Sequence, residues 1–295
     1  MNSASSSPPA KWRNCDNCGS RDAKPKWQRD GYDIVECRQC GLVYVAQEVT
    51  RAELNEYYGS AYYAGNGTAY TDYLAKAPTR KHHYRSMLPA LKRHMARADG
   101  EIRALDVGCA AGYFLEVAGE AGWRAQGVEL SPYMSAYARD ERGLDVQTGT
   151  LEEADLPIGA FDLVTMWDVI EHVQEPSAVL QRASELLKPG GLLVLATGDV
   201  GGVTARVYGE KWALIAPPGH LFYFSRHTLG ALLQKSGFQV EGWESDGSFL
   251  INQTIENPRG LKRISQKLHD NRIAGALLRR LKWGSIMTIY ARKGA

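Results

Sequence analysis

The sequence of 295 residues lacks several features that define whole classes of protein. It has no run of about 18 apolar residues, so it predicts no membrane-spanning helix. Its first residues, MNSASSSPPAKWRN, lack the apolar core of a secretory signal. We therefore expect a disordered lead over residues 1–12 and a cytoplasmic location. In that reducing compartment the five cysteines bind metal or stay free.

The chain also lacks a large excess of charge of one sign, because its net charge is only +2. Residues 259–293 hold ten Lys or Arg and one acid, which leaves 25 basic and 32 acidic residues elsewhere, a net charge of −7. Such a remainder disfavours a basic groove for phosphates, and hence a nucleic-acid partner. The composition, 44% hydrophobic and 23% charged, is typical of one large or two modest globular domains.

Four of the five cysteines form two C-x-x-C-G pairs near the N-terminus. The segment between the pairs predicts a β-hairpin that turns at Asp30-Gly31. Two such pairs joined by a hairpin bring four thiolates together, as a tetrahedral zinc site requires. Four protein ligands leave no open position, so the predicted zinc is structural. The predicted ligands of this zinc ribbon, residues 13–48, are Cys15, Cys18, Cys37 and Cys40.

Residues 102–130 have the pattern of a strand, a glycine-rich turn, a helix and a second strand. The apolar run Ala104–Val107 predicts a buried parallel strand, and Gly122 predicts the end of the helix. Glu129 follows Asp106 at roughly the 20-residue offset at which an acid holds ribose hydroxyls in dinucleotide folds. The pattern therefore indicates a nucleoside ligand outside the carboxyl ends of the strands. The turn has neither G-x-G-x-x-G nor a P-loop lysine.

The segment Leu105–Phe114, LDVGCAAGYF, resembles the first motif of class I S-adenosylmethionine-dependent methyltransferases, LDVGCGTGxF. Ala110 stands where that family usually has glycine. The resemblance implies that Gly108 and Gly112 border the methionine end of the cofactor and that Glu129 holds its ribose. The cofactor-binding residues that it implies are Asp106, Gly108, Ala110, Gly112, Glu129, Leu130, Thr150, Leu151 and Trp167.

Later segments resemble the small-molecule branch of this family, near the ubiquinone-pathway O-methyltransferases and the deoxysugar C-methyltransferases. The apolar run Phe161–Trp167 predicts the fourth strand and Leu192–Thr197 the fifth, after a helix end and turn at 186–191. Phe238–Ser245 and Ser285–Arg292 predict the sixth and seventh strands, the latter antiparallel at the sheet edge. The resemblance implies an α/β fold with a Rossmann-like, seven-stranded methyltransferase sheet, whose last strand is antiparallel, and a small N-terminal zinc ribbon.

The predicted domain organisation places a linker before the methyltransferase domain. Residues 49–98 form a helical linker or lid that is rich in tyrosine and broken at Gly65 and Pro78, and we interpret the tyrosines as packing residues. Residues 99–295 form the methyltransferase domain, with a basic helical insertion at about 257–283. The long connection over 198–225 is glycine- and proline-rich, which is typical of functional loops.

Methyl transfer from a sulfonium to a hydroxyl is helped by a histidine near neutral pKa. By position two histidines qualify, His220 after the fifth strand and His172 after the fourth. Asp168 is expected to fix the cofactor or the acceptor. Three functions remain open: a methyltransferase for a sugar, lipid-linked or secondary metabolite, an RNA or protein methyltransferase, and a non-catalytic partner protein that binds the cofactor.

The basic segment 259–283 has apolar residues on two helical faces and leaves two interpretations open. In one, it packs on the domain or on a second subunit, which leaves a homodimer open. In the other, it is a peripheral contact with an anionic membrane near a lipid-linked acceptor.

Overall fold

The fold consists of a seven-stranded sheet and a separate four-stranded sheet that carries the cysteine pairs. The computed structural model describes residues 12–58, 73–95, 100–245 and 284–294. The strands are β1 Ala23–Arg29, β2 Tyr32–Cys37, β3 Val43–Val45, β4 Arg103–Val107, β5 Arg124–Glu129, β6 Val146–Thr148, β7 Phe161–Trp167, β8 Leu187–Gly198, β9 Phe222–Tyr223, β10 Phe238–Ser245 and β11 Ile286–Lys293.

Seven helices accompany these strands in the described ranges. They are α1 Arg51–Tyr57, α2 Ala77–His94, α3 Tyr113–Glu120, α4 Pro132–Ala136, α5 Pro176–Leu186, α6 Val203–Tyr208 and α7 Arg226–Lys235. A π-helical turn, Tyr137–Glu141, continues α4, and a 3₁₀ turn, Gly209–Lys211, follows α6. Ser131 caps α4 with its side chain, and Pro132 occupies the first turn, where a proline fits a helix.

The large sheet has the order β10-β11-β8-β7-β4-β5-β6. Its five strands from β8 to β6 are parallel, and β11 is antiparallel to both of its neighbours. Strand β7 is buried on both faces except at Trp167, which explains its nearly continuous apolar sequence. The predicted α/β, Rossmann-like sheet with an antiparallel last strand is confirmed.

The structure corrects three local predictions. Strand β11 does not lie at the sheet edge but between β8 and β10, because the chain inserts its last strand beside β8. The helix end predicted at 186–191 is confirmed at Leu186, but residues 187–191 are the start of β8 instead of a turn. The register against β7 shifts there, and Gly190 has a positive φ. Pro78 interrupts the linker by starting a helix rather than by ending one, since it occupies the first turn of α2 after the turn at 73–76.

The small sheet has the order β1-β2-β3-β9, all antiparallel. Strands β1 and β2 form the predicted hairpin, with Asp30 and Gly31 at positive φ. Its fourth strand, β9, comes from the long connection after β8, which also contains α6. Tyr44 pairs with Phe222 and Val43 with Tyr223, so the ribbon is joined directly to the methyltransferase part of the chain.

Several predictions fall outside the described residues. They are the lead, the break at Gly65, the tyrosines Tyr62, Tyr63 and Tyr70, and the basic insertion at 257–283 with its membrane or subunit contact. Within the described residues no helix is long and apolar enough to cross a membrane.

Candidate functional site

A cavity of about 690 Å³ opens at the carboxyl ends of the parallel strands. Its floor contains Val107 at the end of β4, Glu129 at the end of β5 and Trp167 at the end of β7. The segment Gly149-Thr150-Leu151, directly after β6, continues the same wall. This is where ligands bind in open parallel sheets, and the volume is in the usual range for small-molecule sites.

The glycine-rich turn between β4 and α3 forms one side of the cavity through Gly108 and Ala110. Gly108 has φ +68°, and a Cβ there would lie 2.5 Å from Cγ2 of Val169. Ala110 also has a positive φ, 46°, which explains why related turns have glycine at this position. The turn therefore brings backbone, rather than side chains, up to the ligand space.

Glu129 connects the turn to the next helix. Its carboxylate accepts hydrogen bonds from the backbone N–H of Ala110 at 2.8 Å and of Ser131 at 2.7 Å. Only 5% of the residue is exposed, and burial raises the pKa of its carboxyl group while the backbone hydrogen bonds lower it. Each carboxylate oxygen accepts more than one hydrogen bond, so Glu129 can also receive ligand hydroxyls.

Seven of the nine predicted cofactor residues line this cavity, namely Gly108, Ala110, Glu129, Leu130, Thr150, Leu151 and Trp167. Asp106 and Gly112 lie behind the wall. Asp106 is buried and accepts a hydrogen bond from Oγ1 of Thr165 at 2.7 Å, and burial raises its pKa to about 8. Gly112 has φ +76°, and a Cβ there would meet Leu144. The geometry gives both residues a part in shaping the turn.

The opposite side of the cavity contains Asp168 and His172. Asp168 directly follows β7 and has a positive φ of 55°, a conformation in which non-glycine residues are uncommon and which recurs at functional sites. His172 is half-buried, and burial lowers its pKa. Its Nδ1 lies 2.7 Å from the carbonyl oxygen of Gly219 and 2.6 Å from the hydroxyl of Tyr58.

His220 lies behind His172 and is not among the described residues that line the cavity. The two imidazole rings meet edge to face, with centroids 4.6 Å apart. Burial and the neighbouring His172 lower the pKa of His220 to about 3. A histidine with so low a pKa is a weak base at neutral pH, so its role as a general base stays a prediction.

The ribbon side of the chain supplies cavity residues that the sequence did not reveal. Thr50 and Arg51 at the start of α1 line the mouth, and Tyr58 at its end reaches His172. Thr50 and Glu53 form a capping box, which could have located this helix. No local signal places Tyr58 beside His172, since 114 positions separate them.

Two tyrosines of the linker combine packing with a place in the cavity wall. Tyr73 stacks on Tyr113 at 5.7 Å, and Tyr84 packs against Phe114 and Trp167. Both Tyr73 and Tyr84 line the cavity. The packing interpretation therefore holds for these two residues, and the linker also contributes directly to the ligand space.

The four predicted zinc ligands lie together, with their sulfur atoms within 4.8 Å of one another. Cys15 and Cys40 are 3.5 Å apart at sulfur, as are Cys18 and Cys37, and none of these cysteines is in a disulfide. Gly19 and Gly41, which follow the two pairs, have positive φ. The donor set and its spacing fit a tetrahedral zinc ion.

The sheet order, the glycine-rich turn and the acid at the end of β5 define an enzyme of the methyltransferase class, which uses a nucleoside cofactor. A family model described as "Methyltransferase domain" matches residues 79–242, more than half of the chain. The chain belongs to this family and is an S-adenosylmethionine-dependent methyltransferase.

Among similar proteins is a ubiquinone biosynthesis O-methyltransferase of Xanthomonas euvesicatoria pv. vesicatoria. It is 33% identical over 187 residues, which cover 59% of this chain and 75% of the relative. Among solved structures, an S-adenosylmethionine-dependent methyltransferase from Archaeoglobus fulgidus has a TM-score of 0.52 at 20% identity, covering 76% of this chain and 100% of that one. Magnesium protoporphyrin IX methyltransferase from Synechocystis PCC 6803, with bound S-adenosylhomocysteine, has a TM-score of 0.52 at 15% identity, covering 83% and 100%. Both structures have the same fold.

Proposed function

We propose that the protein transfers the methyl group of S-adenosylmethionine to an oxygen atom of a small-molecule acceptor. The observation that carries this proposal is that one cavity joins the turn and Glu129 to a second wall with Asp168 and His172. The relatives named for ubiquinone biosynthesis are O-methyltransferases, which supports a hydroxyl acceptor.

In this proposal the cofactor occupies the side of the cavity formed by β4, β5 and β6. Glu129 receives the ribose hydroxyls, and the backbone around Gly108 and Ala110 accommodates the methionine end. Leu130, Thr150 and Leu151 surround the adenine. When bound, the cofactor supplies a methyl group on a positively charged sulfur. The chain aligns the reactants and excludes water from them.

We propose that the acceptor lies between the cofactor and His172, which is on the wall, whereas His220 is behind it. The carbonyl oxygen of Gly219 can only accept a hydrogen bond, so Nδ1 of His172 carries the hydrogen and Nε2 has a free lone pair. Asp168 orients the acceptor in this scheme. The acidic balance of the chain outside the basic segment supports a small molecule over a nucleic acid.

We further propose that Cys15, Cys18, Cys37 and Cys40 hold a structural zinc ion. The sulfur spacing supports this, and four thiolates leave no position for a substrate. The division into a ribbon over 13–48, a linker over 49–98 and a methyltransferase domain from 99, the cytoplasmic location and the homodimer stay predictions.

The test is to incubate the protein with S-adenosylmethionine and a panel of small phenols, alcohols and amines, and to measure S-adenosylhomocysteine by mass spectrometry. We expect turnover with hydroxyl acceptors and a fall of about 10²-fold or more in His172→Asn, the usual size of an acid–base contribution. His94→Asn is the matched control, because His94 stacks on Tyr290 and does not line the cavity. Turnover with amines only, or equal turnover in both variants, would contradict the proposal.

A further inference from the structure

One arginine of the ribbon reaches the wall of the cavity. Arg13 lies two residues before Cys15, and it lines the cavity together with Glu48 and Val49. Its backbone is fixed within the ribbon, since the N–H group donates to the carbonyl oxygen of Ala46 at 2.8 Å. Because a guanidinium stays charged at any physiological pH, the ribbon brings a permanent positive charge to the space in which we place the acceptor.

The guanidinium of Arg13 is held from two sides. Its Nη2 donates to the backbone carbonyl oxygen of Gln174 at 2.6 Å, and its Cζ lies 5.1 Å from the centre of the Phe222 ring. The side chain of Gln174 donates in turn to the carbonyl oxygen of Val49 at 2.6 Å, so the loop after β7 and the ribbon are bound to each other in both directions. A planar cation that is oriented in advance loses little side-chain entropy when it binds a ligand.

Arg13 has donors left over and no acid that neutralises it. A guanidinium has five N–H donors, and the contact with Gln174 uses one of them. The arginines that form ion pairs within 4.0 Å in the described part of the chain do not include Arg13. Glu48 and Glu175 also line the cavity, but both are exposed to solvent, whereas Arg13 is half-buried. A carboxylate or phosphate group is the ligand whose oxygens match such a fork of donors.

The position of Arg13 associates this charge with the acceptor. Gln174 follows His172 by two positions, which corresponds to at most about 7 Å along the chain. The residues that contact the guanidinium, Gln174 and Phe222, lie after β7 and in β9. Neither belongs to β4, β5, β6 or the turns after them, which hold the cofactor in the proposed function. A small molecule could therefore place one group at His172 and another at Arg13.

We propose that Arg13 binds an oxyanion of the acceptor, a carboxylate or a phosphate group, while His172 faces the hydroxyl group that is methylated. This inference rests on the proposed function and narrows the acceptor to small hydroxy acids or phosphate esters that retain a hydroxyl group. The oxyanion takes no part in the chemistry. Its contact with Arg13 fixes one end of the acceptor, so that the hydroxyl oxygen is aligned with the methyl carbon. The ribbon is then a substrate-binding element as well as a structural one.

Calorimetry on the full chain saturated with S-adenosylhomocysteine tests this inference without requiring turnover. The probes are 4-hydroxybenzoate, 4-hydroxyphenyl phosphate and the neutral 4-hydroxybenzamide. We expect the wild type to bind at least one anionic probe about 10- to 100-fold more tightly than the amide, the usual size of a charge-assisted pair. The tighter of the two anions identifies the group as a carboxylate or a phosphate. Arg13→Gln should lose this preference, and Arg13→Lys should keep only part of it, because an ammonium group lacks the planar fork.

Arg21→Gln is the matched control. Arg21 also belongs to the ribbon, but it is exposed, donates to Oδ1 of Asn14 at 3.0 Å and is not among the described residues that line the cavity. This variant should keep the wild-type preference for the anionic probe. Zinc content and melting temperature show whether the ribbon is intact in each variant.

The possible outcomes separate this inference from the proposed function. Equal affinity of the wild type for anionic and neutral probes, or a preference that survives in folded Arg13→Gln, would overturn the role of Arg13. Weaker binding of S-adenosylhomocysteine by Arg13→Gln would also overturn it, since Arg13 would then hold the carboxylate of the cofactor. Methyl transfer to hydroxyl groups without any preference for anions would leave the proposed function standing alone. Binding of anions that depends on Arg13, without methyl transfer to any hydroxyl acceptor, would instead overturn the proposed function and leave Arg13 as an oxyanion site.

Discussion

Replacing Glu129 by glutamine tests the cofactor half of the cavity with little change in shape. The carboxylate accepts backbone N–H groups on both sides, from Ala110 and Ser131. The amide of Glu129→Gln has one oxygen, so it can accept on one side and presents its NH₂ group to an N–H on the other. The variant therefore loses one charge-assisted hydrogen bond within the protein and the charge that would face the ribose hydroxyls.

Hydrogen bonds to charged groups contribute about 1.5–3 kcal/mol. We expect the variant to bind S-adenosylhomocysteine about 10- to 150-fold more weakly, the same range expressed as an affinity ratio. Because burial raises the pKa of Glu129, wild-type affinity should also fall as the pH becomes mildly acidic, at a higher pH than for an ordinary glutamate. The variant should lack this dependence.

Isothermal titration with S-adenosylhomocysteine at several pH values measures both effects. Glu152→Gln is the charge-matched control, since Glu152 lines the same cavity but is exposed. Melting temperatures of both variants show whether the fold survives. Unchanged affinity in a folded Glu129→Gln variant, or an equal loss in the control, would refute this assignment of Glu129.

Three further predictions concern the zinc, the turn and the buried acid behind it. Cys37→Ser should release about one zinc per chain, measured by elemental analysis, and raise the acceptor KM while S-adenosylhomocysteine affinity changes little; cysteines found paired as disulfides would contradict it. Gly108→Ala should lower the unfolding free energy by about 1–2 kcal/mol from its positive φ alone, with more lost to Val169. In the double variant Gly108→Ala and Val169→Ala, urea unfolding should recover only the part of the lost unfolding free energy that comes from contact with Val169. Full recovery would argue against backbone strain. Asp106, with its pKa raised to about 8, contributes stability that is complete below about pH 4 and lost as the pH rises through 8. Asp106→Asn should flatten this pH dependence of the unfolding free energy, measured by urea unfolding at several pH values. An unchanged pH dependence would assign it to another group.

The large sheet was predictable because its signals are local. The apolar run of Phe161–Trp167 and the glycines after some of the helices, such as Gly122 and Gly237, mark strands and turns without reference to distant residues. Strand order is not local, so the sequence could not place β11 between β8 and β10. For the same reason the two-residue strand β9 escaped notice, since its partner β3 is far away in the chain.

In the candidate site, too, the local features could be predicted from the sequence and the long-range contacts could not. A motif marks the turn, but it does not separate residues that face the ligand, such as Gly108, from residues that shape the turn, such as Gly112. His172 and His220 were both found by position, yet which of them faces the cavity depends on the path of residues 214–221. The contact of Tyr58 with His172 joins two segments that share no sequence pattern.

The pairing of β3 with β9 also determines when the N-terminal sheet can be completed. Val43–Val45 is synthesised early, but its partner Phe222–Tyr223 emerges more than half of the chain later. At about 5–20 residues per second, this delay is on the order of ten seconds or more on the ribosome. During that time the apolar strand β3 has an open edge, the kind of surface that pairs with other chains. The nascent N-terminal sheet is thus exposed to pairing with other chains until β9 has been made.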